Sequence, residues 1–160
     1  MSAGPHTLGP TPPRLHHATT VALGTVGALL RGRSGAGKSD LALRFLADQG
    51  RWPEVALPRT LIADDQTLLT ATNGRLVATA PAAIAGLIEV RGVGIVGVPS
   101  ADAAEVRLVV DLIVWADVER WPSPDRTLDL DGVHVLWRTL DPFEPAAALK
   151  LALLLGQVSR

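Results

Sequence analysis

The octapeptide Gly32-Arg33-Ser34-Gly35-Ala36-Gly37-Lys38-Ser39 follows the spacing G-x-x-x-x-G-K-[ST]. Each position has a physical task. The glycines allow a tight backbone path that turns successive N–H groups inward, toward phosphate oxygens. Lys38 brings a positive charge to the β- and γ-phosphates, and Ser39 offers a hydroxyl to Mg²⁺. A helix starting at Lys38 adds the partial positive charge of its N-terminus. The stretch therefore reads as a loop for a nucleoside triphosphate. A chance glycine-rich turn is the weaker reading, because an apolar strand pattern precedes the loop and a helical pattern follows it. The motif does not say where the phosphate goes, since ATPases, GTPases and kinases share it.

Candidate partners for that chemistry lie elsewhere in the chain. Asp64 and Asp65 end a short apolar run, LIA, where an acidic residue completes the metal shell beside a phosphate loop. Two adjacent acids allow a division of labour: one holds Mg²⁺ and the other takes a proton from an attacking hydroxyl. Glu89 and Arg91 sit in a glycine-rich apolar stretch. They are either a structural ion pair or a metal ligand and a phosphate clamp, and residue types alone leave both open. His16 and His17 precede the first ordered strand, and composition alone makes them solvent-exposed bystanders.

These residues need elements to hold them. GALLRG (27–32) reads as a buried strand feeding the loop, and 38–48 as a helix with Leu41, Ala42, Phe45 and Leu46 on one face. Gly50 stands where a helix-ending glycine is expected, and 51–59 reads as a loop with two prolines. Residues 61–63 form a short strand. A hairpin with arms 67–71 and 76–79 turns at TNGR, and 80–84 is a turn or short helix. The three glycines in 87–98 suggest a backbone approached closely by something else. Residues 106–115 are the clearest strand, 121–125 a turn, 133–137 a short strand and 146–155 a closing, largely apolar helix. The sum is a mixed α/β domain with a central sheet and few helices. Residues 1–14, rich in Pro, Gly and Thr, read as a flexible tail, leaving 15–160 as a single domain.

Composition narrows the function classes. A chain of 160 residues that is 48% apolar suits one domain with a sizeable core. Fifteen Lys and Arg against 16 Asp and Glu give a net charge of −1, so no basic excess argues for nucleic acid. Mean hydropathy is +0.27, yet charges or glycines break every apolar run before membrane-spanning length. The chain has no cysteine, which excludes disulfides and thiolate metal sites. The N-terminus lacks the charged and apolar regions of a secretory signal, so the expected location is the cytoplasm.

Taken together, GRSGAGKSDLAL, LIADD and LIEVRGVGIVGV resemble the catalytic domain of the bifunctional HPr kinase/phosphorylase family. That family carries a block of the form E-[IV]-R-G-[LV]-G-[IV], and Glu89 to Ile95 match it throughout. It also carries a histidine at the position of His17 before the loop. The resemblance spans about residues 16–115. It implies a P-loop-containing mixed sheet shared with phosphoenolpyruvate carboxykinase. It also implies ATP and Mg²⁺ as cofactors, and HPr, the phosphocarrier of the sugar phosphotransferase system, as the protein modified on serine. By position, Gly32 to Ser39 would bind ATP and Lys38 would be catalytic. Asp65 would exchange the serine proton, Ser39, Asp64 and Glu89 would touch the metal, and His17 and Arg91 would sit at the active site.

Long members add a separate N-terminal domain, and a basic loop associated with dephosphorylation followed by a C-terminal helix. At the latter position this sequence has DPFEPAAALK (141–150), which resembles the short alphaproteobacterial form. The kinase parts are intact. The resemblance leaves phosphorylase activity and hexameric assembly open at these residues, and a homo-oligomer stays among the expectations. The rival readings are a small-molecule kinase using the same loop and a nucleotide-binding regulatory sensor.

Overall fold

The computed structural model describes residues 9–48 and 57–160. Within them the strands are β1 (Arg14–His16), β2 (Ala18–Leu23), β3 (Val26–Arg31), β4 (Arg59–Ala63), β5 (Thr67–Thr72), β6 (Arg75–Thr79), β7 (Leu87–Val90), β8 (Gly94–Gly97), β9 (Ala103–Leu112), β10 (Thr127–Leu130) and β11 (Val133–Leu140). The helices are α1 (Lys38–Ala47) and α2 (Ala147–Val158). This is the mixed α/β architecture that the sequence implies.

The main sheet runs β1-β5-β6-β9-β3-β2-β4. Strand β9 is its hub. One edge pairs with β3 in parallel; the other serves β6 through residues 103–105 and β11 through residues 108–112. Only a long strand can carry two partners end to end on one edge, and β9 spans 10 residues. Strand β10 pairs only with β11, and β7 with β8 forms a separate hairpin.

Central strands are apolar on both faces because both faces are covered. Ala28 and Leu30 of β3, with Leu108 and Val110 of β9, pack under α1 and α2 against Leu41, Phe45, Leu151 and Leu155. Leu29 and Val109 point the other way, into a second layer with Ile62, Leu69, Leu76 and Val135. The pleat separates the two sets. Truncating a fully buried leucine such as Leu29 or Leu108 to alanine costs about 2–5 kcal/mol.

The structure adds detail to the sequence reading in three places. The tail read over 1–14 meets the sheet at Thr11, whose N–H and hydroxyl bond to Ala71, and Arg14 opens β1. The 87–98 run is two strands, and no atom of the described residues lies within 4 Å of where a side chain would start at Gly92, Gly94 or Gly97. Gly92 and Gly94 serve a different need: their φ angles of 84° and 117° make the turn into β8, which L-residues rarely allow. Strand β10 was not anticipated. The helix stop at Gly50 and most of the 51–59 loop lie outside the described residues.

At the end of β3, just before the phosphate loop, Arg31 forks onto Asp111 of β9 at 2.7 and 2.8 Å. The Trp137 indole of β11 donates to the same carboxylate at 2.8 Å. Burial pushes the Asp111 carboxyl up, but the Arg31 and Trp137 hydrogen bonds and the Arg31 charge outweigh it, so its pKa lies below the ordinary 3.8. A carboxyl lowered in the fold stabilises it fully above that value, and the contribution fades as pH falls through the lowered one. Asp111→Asn is therefore expected to lose about 1–3 kcal/mol at neutral pH. The gap to the parent should close in acid. Urea unfolding across pH checks this, and a gap that persists in acid would contradict the ionic role.

Candidate active site

The register of three strands assembles the site. Strand β2 lies between β3 and β4 and runs antiparallel to both, with Ala18 opposite Arg31 and Thr20 opposite Ala63. The start of β2 thus sits between the ends of β3 and β4. The phosphate loop leaves one of those ends, and Asp64 and Asp65 leave the other.

The loop runs from Gly32 through Arg33, Ser34, Gly35 and Ala36 to Gly37, which starts α1. Gly37 has φ 95°, and no side chain caps the helix, so the first N–H groups of α1 are left for an anion. A methyl at Gly37 would lie 3.0 Å from Pro142 and 3.1 Å from Phe143, so conformation and space both demand glycine. Lys38 is 5% exposed and donates to the carbonyls of Gly32 at 2.7 Å and Arg33 at 3.0 Å. The ammonium is thereby held at the mouth of its own loop.

Asp64 is buried, and each of its oxygens has a partner. Oδ1 accepts from Ser39 Oγ at 2.6 Å and Thr19 Oγ1 at 3.1 Å; Oδ2 accepts from the Glu89 N–H at 3.1 Å. Asp65 differs in every respect. Its side chain is 55% exposed, and its backbone is left-handed at φ 62°. Asp65 N–H donates to Thr19 Oγ1 at 3.0 Å, and its carbonyl accepts from Ala18. Its Oδ1 lies 3.4 Å from His17 Nδ1 and 4.0 Å from Lys38 Nζ. His17 Nε2 is 3.5 Å from Lys38 Nζ. With a lysine donor on Nε2, the tautomer that suits both neighbours has its proton on Nδ1, toward Asp65.

These groups face a cleft of about 420 Å³ lined by Lys38, Ser39, Asp64, Asp65, Glu89 and Arg91, with Phe143 and Leu43 among the apolar contributors. Glu89 and Arg91 do not pair with each other; both point to the cleft from the β7–β8 hairpin. Among the described residues no three acidic or histidine side chains form a complete metal cage. The donor set nevertheless fits Mg²⁺. This ion takes one or two protein oxygens and completes its octahedron with phosphate and water, and Ser39 Oγ beside Asp64 supplies such oxygens.

The structure therefore gathers Lys38, Ser39, Asp64, Asp65 and His17 at one place, and Glu89 and Arg91 line the same cleft. Thr19 went unread in the sequence, although its hydroxyl ties both acids. The only signal was its position two residues after His17.

A glycine loop between a sheet strand and a helix, with an acidic pair opposite, defines a phosphate-loop domain. The sequence pattern of the family described as HPr Serine kinase C-terminal domain matches residues 11–139, and the chain belongs to that family. An HPr kinase/phosphorylase of Clostridium tetani is 31% identical over 125 residues, covering 78% of this chain and 38% of that protein. One of Exiguobacterium sibiricum is 34% identical over 144 residues, covering 83% and 43%. The chain thus spans well under half the length of these curated relatives. The solved Hpr(Ser) kinase/phosphatase of Coxiella burnetii superposes with a TM-score of 0.71 at 24% identity, over 92% of this chain and 90% of that one, which shows a shared fold.

Thr19→Val keeps the shape and removes the hydroxyl. It should cost about 1–2 kcal/mol, because a buried carboxylate loses one donor and the Asp65 N–H loses its acceptor. Urea unfolding reads this directly; a loss within about 0.3 kcal/mol would mean that Thr19 does not hold the acids.

Proposed function

We propose that the chain transfers the γ-phosphoryl group of ATP to a serine hydroxyl of the phosphocarrier protein HPr. The observation that carries this reading is the split between the two adjacent acids. Asp64 is buried, bonded at both oxygens and joined to the Ser39 hydroxyl, whereas Asp65 is exposed at the cleft beside Lys38. Membership of the HPr Serine kinase C-terminal domain family and the printed names of the relatives support HPr as acceptor.

In this reading the loop amides and the N-terminus of α1 hold the triphosphate, and Lys38 leaves its two carbonyls to meet the β- and γ-phosphates. Ser39 and Asp64 would hold Mg²⁺, with Glu89 as a further contact. When bound, that ion neutralises phosphate charge and fixes its geometry. Asp65 accepts the proton of the serine hydroxyl as its oxygen bonds to the γ-phosphorus. The bond from that phosphorus to the β-bridging oxygen breaks, and ADP leaves. His17, between Asp65 and Lys38, orients the carboxylate. Arg91 is placed to meet charge on the transferred group.

A protein acceptor also suits the rim. Val93 and Ile95, on the hairpin that carries Glu89 and Arg91, are 73% and 71% exposed. A small metabolite needs no such ledge. The proposal covers transfer to serine alone, because 141–150, at the position of the family's basic dephosphorylation loop, is acidic and proline-broken. The same reading places the protein in the cytoplasm with its acceptor, and leaves a homo-oligomer as the assembly to test.

The experiment mixes the protein with γ-labelled ATP, Mg²⁺ and HPr, either wild type or with the acceptor serine changed to alanine. Label on wild-type HPr alone is expected; label on neither, with ATP still bound, would favour a nucleotide sensor. Asp65→Asn should keep ATP binding and lose about 10²–10⁴-fold in transfer, the range for a removed general base. Transfer at the parent rate in that variant would refute the base assignment. Lys38→Ala should weaken nucleotide binding itself.

A further inference from the structure

The cleft lining is chemically uneven. Lys38, Asp64, Asp65, Glu89 and Arg91 supply charge, whereas Leu43 and Phe143 supply apolar surface next to Asp40. Asp40, Leu43 and Arg44 lie three and four residues apart on α1, hence on one face. Phe143 stands against that face, because Arg44 donates to the carbonyl of Pro142 and also forks onto Asp40 at 3.0 and 2.8 Å. The acidic charge on this wall is thus already offset where a polyphosphate would pass.

Phe143 is unusual in being both exposed and fixed. Its side chain is 68% exposed, yet its ring tip lies close to Gly37 of the loop. Its N–H donates to Asp141 Oδ1 at 2.9 Å, and the other oxygen of Asp141 accepts from Trp115 N–H at 3.0 Å. Glu144 pairs with Lys150, whose ammonium lies 4.9 Å over the Trp115 ring. The segment is tied to α1, to α2 and to the stretch after β9, while Phe143 remains exposed and lines the cleft.

A triphosphate in the loop must send its nucleoside out through this cleft. The side bearing Asp65, Glu89 and Arg91 is charged and, in the proposed reaction, meets the acceptor; on the α1 side Leu43 and Phe143 offer apolar surface beyond Lys38 and Asp40. We propose that Phe143 is the platform on which the purine base of the nucleotide stacks, with Leu43 completing the apolar wall. Stacking asks for a flat ring held in place without a partner, and Phe143 meets both conditions. The inference rests on the nucleotide reading of the loop.

The test compares Mg²⁺-ATP with Mg²⁺-tripolyphosphate, which offers the phosphates without a base, as ligands of the parent, Phe143→Ala and Phe143→Trp. Circular dichroism confirms that each variant is folded. Phe143→Ala should weaken ATP by at least ~5-fold and tripolyphosphate by less than ~2-fold, since base–aromatic stacking is worth roughly 1–3 kcal/mol. Phe143→Trp should restore ATP affinity. Equal weakening of both ligands would mean that Phe143 only shapes the loop, and unchanged ATP affinity would mean that the base lies elsewhere; either overturns the platform while leaving the loop reading intact. A parent that binds neither ligand would overturn the nucleotide reading, and the platform with it.

Discussion

The site depends on one half-buried carboxylate at the centre of the sheet. Asp111 sits on β9, opposite Arg31 on β3 and Thr139 on β11. Removing a charge from water is costly, and this one is kept because a bidentate guanidinium and an indole N–H meet it in the fold. The consequence is geometric. The ends of three parallel strands are pinned together where β3 gives way to Gly32, so the phosphate loop starts from a fixed platform. A hydrophobic triplet there would also bind the strands, but it would not select one register. A fork on a carboxylate does, because a slip of one residue would turn Arg31 to the helix face.

A second constraint separates two chemically identical residues. Asp64 follows β4 directly and turns toward Thr19 and Ser39, and each of its two oxygens has a donor. Asp65 follows in a left-handed conformation, which reverses the chain and turns its carboxylate outward. Aspartate tolerates that conformation better than most residues, at a modest energetic cost. The cost is met by Thr19, which accepts the Asp65 N–H while donating to Asp64. One threonine thus holds a carboxylate suited to a metal and frees its neighbour to meet a proton.

How much of this was legible in the sequence follows from how local each signal is. The loop, the helix after it and the hairpin at Asn73–Gly74 are written in adjacent residues, and the structure has each of them. Asp131–Gly132 is an equally local turn signal, with φ angles of 51° and 82°. It went unread because β10 offers only four residues, too few for alternation to stand out. The Asp64–Asp65 pair was visible as chemistry, but not its division, which depends on Thr19 from another strand. Composition made His17 a bystander, and only resemblance placed it in the site. Phe143, in a proline-broken stretch, had no periodic neighbour to flag it. Of the glycines in 87–98, Gly92 and Gly94 make the turn into β8, a backbone role that composition alone did not separate from close approach.

The distant residues converge through a simple topological fact. Ligand sites in α/β sheets form beyond the C-terminal ends of parallel strands, where loops diverge and leave a crevice. Here β3 and β4 point the same way but are not adjacent, because β2 lies between them in the opposite direction. The crevice is therefore closed at its base by the start of β2, and whatever precedes and opens that strand faces the loop. His17 and Thr19 occupy those positions. A parallel strand inserted there would have placed its C-terminal end and a departing loop in the same space. The antiparallel insertion instead contributes the Thr19 hydroxyl, and the bend just before it contributes the His17 imidazole. Lys38 and Asp65, from different neighbours of β2, can then be bridged by one ring whose two nitrogens reach 3.5 and 3.4 Å.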